Sequence, residues 1–190
     1  MRRVEASLVL VAFLLLTSIS WADDASEPTG VPNFHTVDEH LYRGAQPSPD
    51  GFKSLSKLGI KVIIDLREGR EHAVLEQKLV ESAGMKYVNV PMRGLNAPTD
   101  EQMATVFALL GDSSGWPTFV HCKRGADRTG TVVACYRISH DHWQNEKALK
   151  EARLYGMSRI EVAMQRYILE FKSGVVQSQP LTLAPAAAGH

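Results

Sequence analysis

The run from Ile60 to Leu66 constrains the fold of this 190-residue chain more than any other segment. It is β-branched at its centre and does not alternate between apolar and polar residues. A strand with one solvated face alternates; one that stays apolar is buried on both faces, which requires a layer of other elements on each side. Short strands are also expected at Leu41-Tyr42-Arg43, ending at Gly44, at Met85 to Val90, closed by Pro91, and at Pro117 to His121. Between them lie helical patterns. Ser48-Pro49-Asp50 starts one, carried by Phe52, Leu55 and Leu58 until Gly59. After Gly69, Val74, Leu75, Leu79 and Val80 mark one face of a second, stopped by Gly84. Thr99-Asp100-Glu101-Gln102 opens a third, backed by Met103, Val106, Phe107 and Leu110. Thr131–His140, Asn145–Leu154 and Ile160–Phe171 follow. Strands alternating with helices imply an α/β domain over residues 33–173: a central, mostly parallel sheet of four to five strands flanked by helices.

The ends of the chain read differently. Arg2 and Arg3 precede an apolar run from Leu8 to Leu16, and Ser20-Trp21-Ala22 offers small residues at the two positions a signal peptidase reads. Residues 1–22 therefore have the layout of a secretory signal; an uncleaved N-terminal anchor is the other reading. Residues 23–32 read as a flexible leader and 174–190 as a disordered tail. The expected location is periplasmic or secreted, with no stable membrane insertion after signal cleavage. Basic and acidic residues balance at 21 each, so no overall charge points to nucleic acid as a partner. There are two cysteines, Cys122 and Cys135, too few for a disulfide-stapled domain or a thiolate zinc site. If a helix follows the loop after Cys122, Cys135 is too far along it for an unstrained bridge, and both thiols are expected free. Of the histidines, His140 and His142 form the best-spaced pair, and they sit at a helix end, where His is favoured without a metal. No metal and no cofactor is expected.

The chemistry concentrates in His121-Cys122-Lys123-Arg124-Gly125-Ala126-Asp127-Arg128-Thr129-Gly130, which joins the third clear strand to a helix. In such sheets ligands bind beyond the carboxyl ends of the strands. Backbone N–H groups of a short loop converge on an anion, and the helix start adds unpaired N–H groups and the positive end of its dipole. Gly125 permits backbone conformations closed to other residues. Arg128 supplies a planar fork for two phosphate oxygens. The same field favours a thiolate on Cys122 at the base of the cradle. A thiolate in line beneath a phosphate is arranged for transfer through a phosphocysteine. The Thr129 hydroxyl stands where it could stabilise that thiolate when water releases the phosphate, and His121 could orient the loop by bonding to its backbone. Residues His121, Lys123, Arg124, Gly125, Ala126, Asp127 and Arg128 form the candidate substrate cradle.

His-Cys, five residues, then Arg-Thr-Gly resembles the phosphate loop of the cysteine-based protein tyrosine phosphatase superfamily. Cys-Lys-Arg-Gly-x-x-Arg-Thr-Gly is most similar to the atypical dual-specificity phosphatases of plants and fungi and their bacterial relatives. Leu41 to Pro47, Ile64-Asp65-Leu66-Arg67 and Tyr87 to Pro91 are similar to segments of the same families. The resemblance implies a dual-specificity phosphatase-like fold and metal-free hydrolysis of phosphate monoesters. Partners would be phosphotyrosine or phosphoserine proteins, or inositol phosphates. Lys123 and Arg124 either favour a multiply charged substrate or point to solvent. Most relatives carry the general acid as an Asp shortly after the segment matching Val90-Pro91; here Met92-Arg93-Gly94 holds that place. Asp127 and Asp100 are the substitutes: Asp127 as acid or as a carboxylate paired with a nearby Arg, Asp100 as acid or as a favoured residue of a first helical turn. Asp65 and Arg67 read as an ion pair at the sheet end or as a brace for the loop, and Arg43 as a similar brace or a surface charge. An inositol polyphosphate or phosphoinositide phosphatase is the alternative within enzymes. A non-catalytic phosphate-binding module and a sulfurtransferase are the alternatives outside the class.

Overall fold

The computed structural model describes residues 27–174. The expected signal segment lies outside them, as do the start of the leader and nearly all of the expected tail. Three residues of the expected leader, 30–32, pack onto the domain instead: Val31 is buried, and the carbonyls of Gly30 and Pro32 accept from Ser48 N and Ala45 N at 2.9 and 2.8 Å.

The elements in chain order are β1 (His35–Thr36), β2 (Leu41–Ala45), α1 (Pro49–Lys57), β3 (Val62–Asp65), α2 (Arg70–Ser82), β4 (Lys86–Asn89), α3 (Asp100–Gly111), a 3-10 turn (Ser113–Gly115), β5 (Thr118–Cys122), α4 (Asp127–Ser139), α5 (Asn145–Leu154) and α6 (Val162–Glu170). The sheet runs β1-β2-β5-β3-β4. Only the edge pair β1–β2 is antiparallel; β2–β5, β5–β3 and β3–β4 are parallel. β5 is thus central, with its carboxyl end between those of β2 and β3.

The apolar run does what its lack of alternation requires. Val62 and Ile64 face one core with Val120, and Ile63 faces a second with Phe119. The second core is closed by Phe52 and Leu55 of α1 and Val80 of α2; the first takes side chains from α3, α4, α5 and α6. Helix starts follow their caps. The Ser48 hydroxyl accepts from Gly51 N ahead of α1, with Pro49 in the first turn, and Thr99 with Gln102 forms a reciprocal capping box ahead of α3.

Two expectations fail instructively. α4 begins at Asp127, four residues before Thr131, because the second half of the loop is itself the first helical turn, whose N–H groups have no partner within the helix. On α2 the face marked by Val74, Leu75 and Leu79 is turned outward, with Leu75 62% exposed, while Glu76 and Val80 are buried. No described helix is long and apolar enough to cross a membrane.

Candidate active site

β5 delivers Cys122 to the carboxyl end of the sheet, 2% exposed, and the chain turns through residues 123–126 into α4. The turn is fixed by β2. Gly125 has φ +67°, and a Cβ there would overlap the backbone of Gly44 and Ala45, so glycine is required on both conformational and steric grounds. Arg43 is fully buried and donates from Nη2 to Gly125 O at 2.8 Å, with its guanidinium 4.7 Å from the centre of the Tyr155 ring. Burial pulls Arg43 down to about 10, the mark of a cation that costs solvation energy to keep in place. It braces the loop and is not a surface charge. Asn33 ties the outer side, donating to Arg124 O at 3.1 Å and Tyr155 O at 3.3 Å.

Beneath the cysteine lies a cluster of buried charge. Arg67 donates from Nε to Asp65 Oδ1 at 2.9 Å and from Nη2 to Asp65 Oδ2 at 2.8 Å, and also from Nη2 to Glu76. His121 Nε2 lies 2.8 Å from Glu76 Oε1, a charge contact and not an aligned hydrogen bond. Nδ1 has no hydrogen-bond partner among the described residues, so the ring touches α2 and not the loop backbone that was expected. The Tyr87 hydroxyl completes the cluster on Asp65 at 2.9 Å. Burial pushes the Asp65 carboxyl up, but Arg67 and His121 outweigh it and hold Asp65 below the usual carboxylate range. Ligand atoms of Asp65, Glu76 and His121 lie within 4.8 Å of one another, close enough for a metal ion; the Arg67 guanidinium already bonds both carboxylates there.

At the arginine end, Arg128 donates through Nη1 to Leu66 O at 3.3 Å and Met92 O at 3.2 Å. Anchoring one nitrogen on two carbonyls leaves the rest of the fork for phosphate oxygens. Thr129 is fully buried, and its hydroxyl has no partner among the described residues. Lys123 and Arg124 are exposed, Ala126 buried. Asp127 Oδ1 accepts from Ser158 N at 2.9 Å, and Oδ2 accepts from Arg124, which is the paired arrangement. Asp100 is exposed in the first turn of α3 and accepts from the Tyr167 hydroxyl at 3.1 Å. Cys135 is a fully buried core thiol pushed well up by burial, and both cysteines are free.

Two charged residues of the site carried no signal in the sequence. Glu76 sat in a helix whose apolar residues pointed to a different face. Glu161, between α5 and α6, is 7% exposed and lies in the field of Asp127, Arg124 and Arg128; nothing about its position in the chain sets it apart.

The chain is similar to known phosphatases. Residues 26–170 match the family described as DSP-PTPase phosphatase fused to NAD+ kinase. The putative tyrosine-protein phosphatase OCA1 of Mycosarcoma maydis is 31% identical over 150 residues, covering 76% of this chain and 94% of that protein. The inositol diphosphatase DSP4 of Arabidopsis thaliana is 28% identical over 158 residues, covering 80% and 78%. The crystal structure of P. aeruginosa TpbA has a TM-score of 0.66 at 22% identity, covering 76% of this chain and 88% of that one; at that identity the likeness is one of fold.

Proposed function

The chain belongs to the DSP-PTPase phosphatase family and is a cysteine-dependent phosphatase; from that premise we propose that Cys122 is its nucleophile and that its substrates are phosphate monoesters of the tyrosine and dual-specificity type. One observation carries the assignment. Cys122 ends the central strand, and residues 123–126 turn into the N-terminus of α4, with Arg128 anchored on carbonyls just past β3 and β4.

The chemistry follows from that geometry. Loop amides and the start of α4 donate to the phosphate oxygens, and Arg128 donates two more hydrogen bonds to them. The Cys122 thiolate attacks phosphorus, the ester P–O bond breaks, and a phosphocysteine forms. Water then attacks that phosphorus, the S–P bond breaks, and phosphate leaves. The uncommitted Thr129 hydroxyl is available to the sulfur as it regains charge. Cys122→Ser keeps the cradle and removes the nucleophile. The expected result is phosphate release from an aryl phosphate and a phosphotyrosine peptide by the purified protein under reducing conditions, with chelator present, and none from the variant. Turnover that survives in Cys122→Ser would overturn the assignment. A phosphate analogue bound without any turnover would favour the binding module.

A second substrate reading rests on Lys123 and Arg124, whose side chains are exposed on the loop. Two extra cations beside the cradle suit a multiply phosphorylated ring, and an inositol diphosphatase is among the relatives. Inositol hexakisphosphate in the same panel separates the two. If it is preferred over the phosphopeptide, and Lys123→Ala erases the preference, the inositol phosphate reading replaces the protein one. The expected export rests on the layout of residues 1–22 alone. Its test is the N-terminus of the protein recovered from outside the cytoplasm: a start at Asp23 supports cleavage, a start at Met1 the anchor.

A further inference from the structure

A phosphate ester loses its alcohol readily only if the departing oxygen receives a proton, so the site needs a carboxyl that stays protonated beside the loop. Asp127 is poorly suited. Both of its oxygens are already engaged, one accepting from Arg124 and the other from Ser158 N. Asp100 sits exposed at the N-terminus of α3, where its carboxyl accepts from the Tyr167 hydroxyl.

Glu161 differs from both. The turn that carries it is pinned to the start of α4: Ser158 N donates to Asp127, and Glu161 N donates to Ser158 O at 3.2 Å. Gln165 Nε2 holds the same turn through Ser158 O and Arg159 O at 3.0 and 3.1 Å. Met157 packs against Gly130, where an added Cβ would lie 3.3 Å from its methyl. Glu161 on this turn is buried, and its Oε2 has no hydrogen-bond partner among the described residues. An ionised oxygen in that position costs free energy, whereas a protonated one keeps an O–H available for a ligand.

We propose that Glu161 is the proton donor to the leaving oxygen. The groups around it agree. Burial first, then the negative charge of Asp127, push its carboxyl above the usual range, against the pull of Arg124, the Leu95 amide and Arg128. The proposal rests on the phosphocysteine mechanism above. As the Cys122 sulfur forms its bond to phosphorus, the P–O electron pair goes to the leaving oxygen, which takes the Glu161 proton and departs as the alcohol. In the second step the Glu161 carboxylate takes a proton from the attacking water, the S–P electron pair returns to sulfur, and the acid is restored.

The test compares an alkyl phosphate, a poor leaving group, with an aryl phosphate bearing an acidic phenol. Glu161→Gln should lower kcat on the alkyl substrate on the order of 100-fold, much less on the aryl one, and should flatten the alkaline limb of the kcat–pH profile. Asp127→Asn should weaken both substrates alike and keep the limb. Equal loss on the two substrates in Glu161→Gln, or a retained limb, overturns the proposal; so does leaving-group dependence in Asp127→Asn. If Glu161→Gln does not fold, Glu161→Asp, which withdraws the carboxyl by one methylene, is read by the same ratio. Cys122→Ser reports separately: turnover surviving there fells the mechanism itself and the acid assignment with it.

Discussion

Two groups of charge flank the phosphate loop, and they are built on opposite terms. Beneath Cys122, Arg67 meets Asp65 and Glu76, and His121 and Tyr87 close the cluster. That group is buried, and its central cation serves two carboxylates. Beside Arg128, Arg124 serves only Asp127, and Glu161 is left with an oxygen that nothing in the described chain satisfies. The lower carboxylates both bond one buried guanidinium, which fixes them in place. Among the described residues Glu161 bonds no guanidinium, and on the proposal above that is what leaves it a proton to give. The loop rests on the first arrangement and sits beside the second.

The sharpest way to break this contrast is to remove the cation from the lower group. In Arg67→Met, Asp65 and Glu76 would remain buried with no guanidinium between them, and losing one partner of such a pair costs about 3–5 kcal/mol. The urea midpoint should fall accordingly at neutral pH. A loss below about 1 kcal/mol would mean that the cluster is no more than a surface-type ion pair.

A smaller effect comes from protons. The folded protein holds the Asp65 carboxyl below its ordinary value, so its contribution is present above the unfolded-state value, near pH 4, and is lost as pH falls through the folded one. Wild-type stability should therefore drop in acid, and Asp65→Asn should show a shallower drop. Equal acid sensitivity in the two proteins would place the titrating group elsewhere.

These clusters also mark how far the sequence could be read. The loop was legible because its chemistry is local: Cys122, Gly125 and Arg128 are close in sequence and must be for one anion to meet them all. The parallel sheet was legible because Val62, Ile63 and Ile64 are apolar on both faces. Glu76 was not, because helical periodicity counts apolar residues, and here two partners outside the helix, Arg67 and His121, draw a carboxylate inward while Leu75 faces out. Arg43 stayed undecided for the same reason, since its acceptor, Gly125 O, lies 82 positions away. The start of α4 was placed late because Asp127 and Arg128 read as loop chemistry when they are also a helical turn.

The smallest effect distinguishes the second group from the first by sign. Glu161 has its carboxyl raised in the folded protein, chiefly by burial and then by Asp127. A raised group stabilises fully below its unfolded-state value and loses that stability as pH rises through the folded one. Glu161→Gln removes the titration while keeping the shape. The variant should therefore match wild type near pH 4 and gain in Tm relative to it as the pH is raised to neutral, the opposite of the behaviour expected around Asp65. A variant that loses Tm at neutral pH would mean that the ionised Glu161 is satisfied after all, by Arg124 or Arg128, and that both groups around the loop are structural.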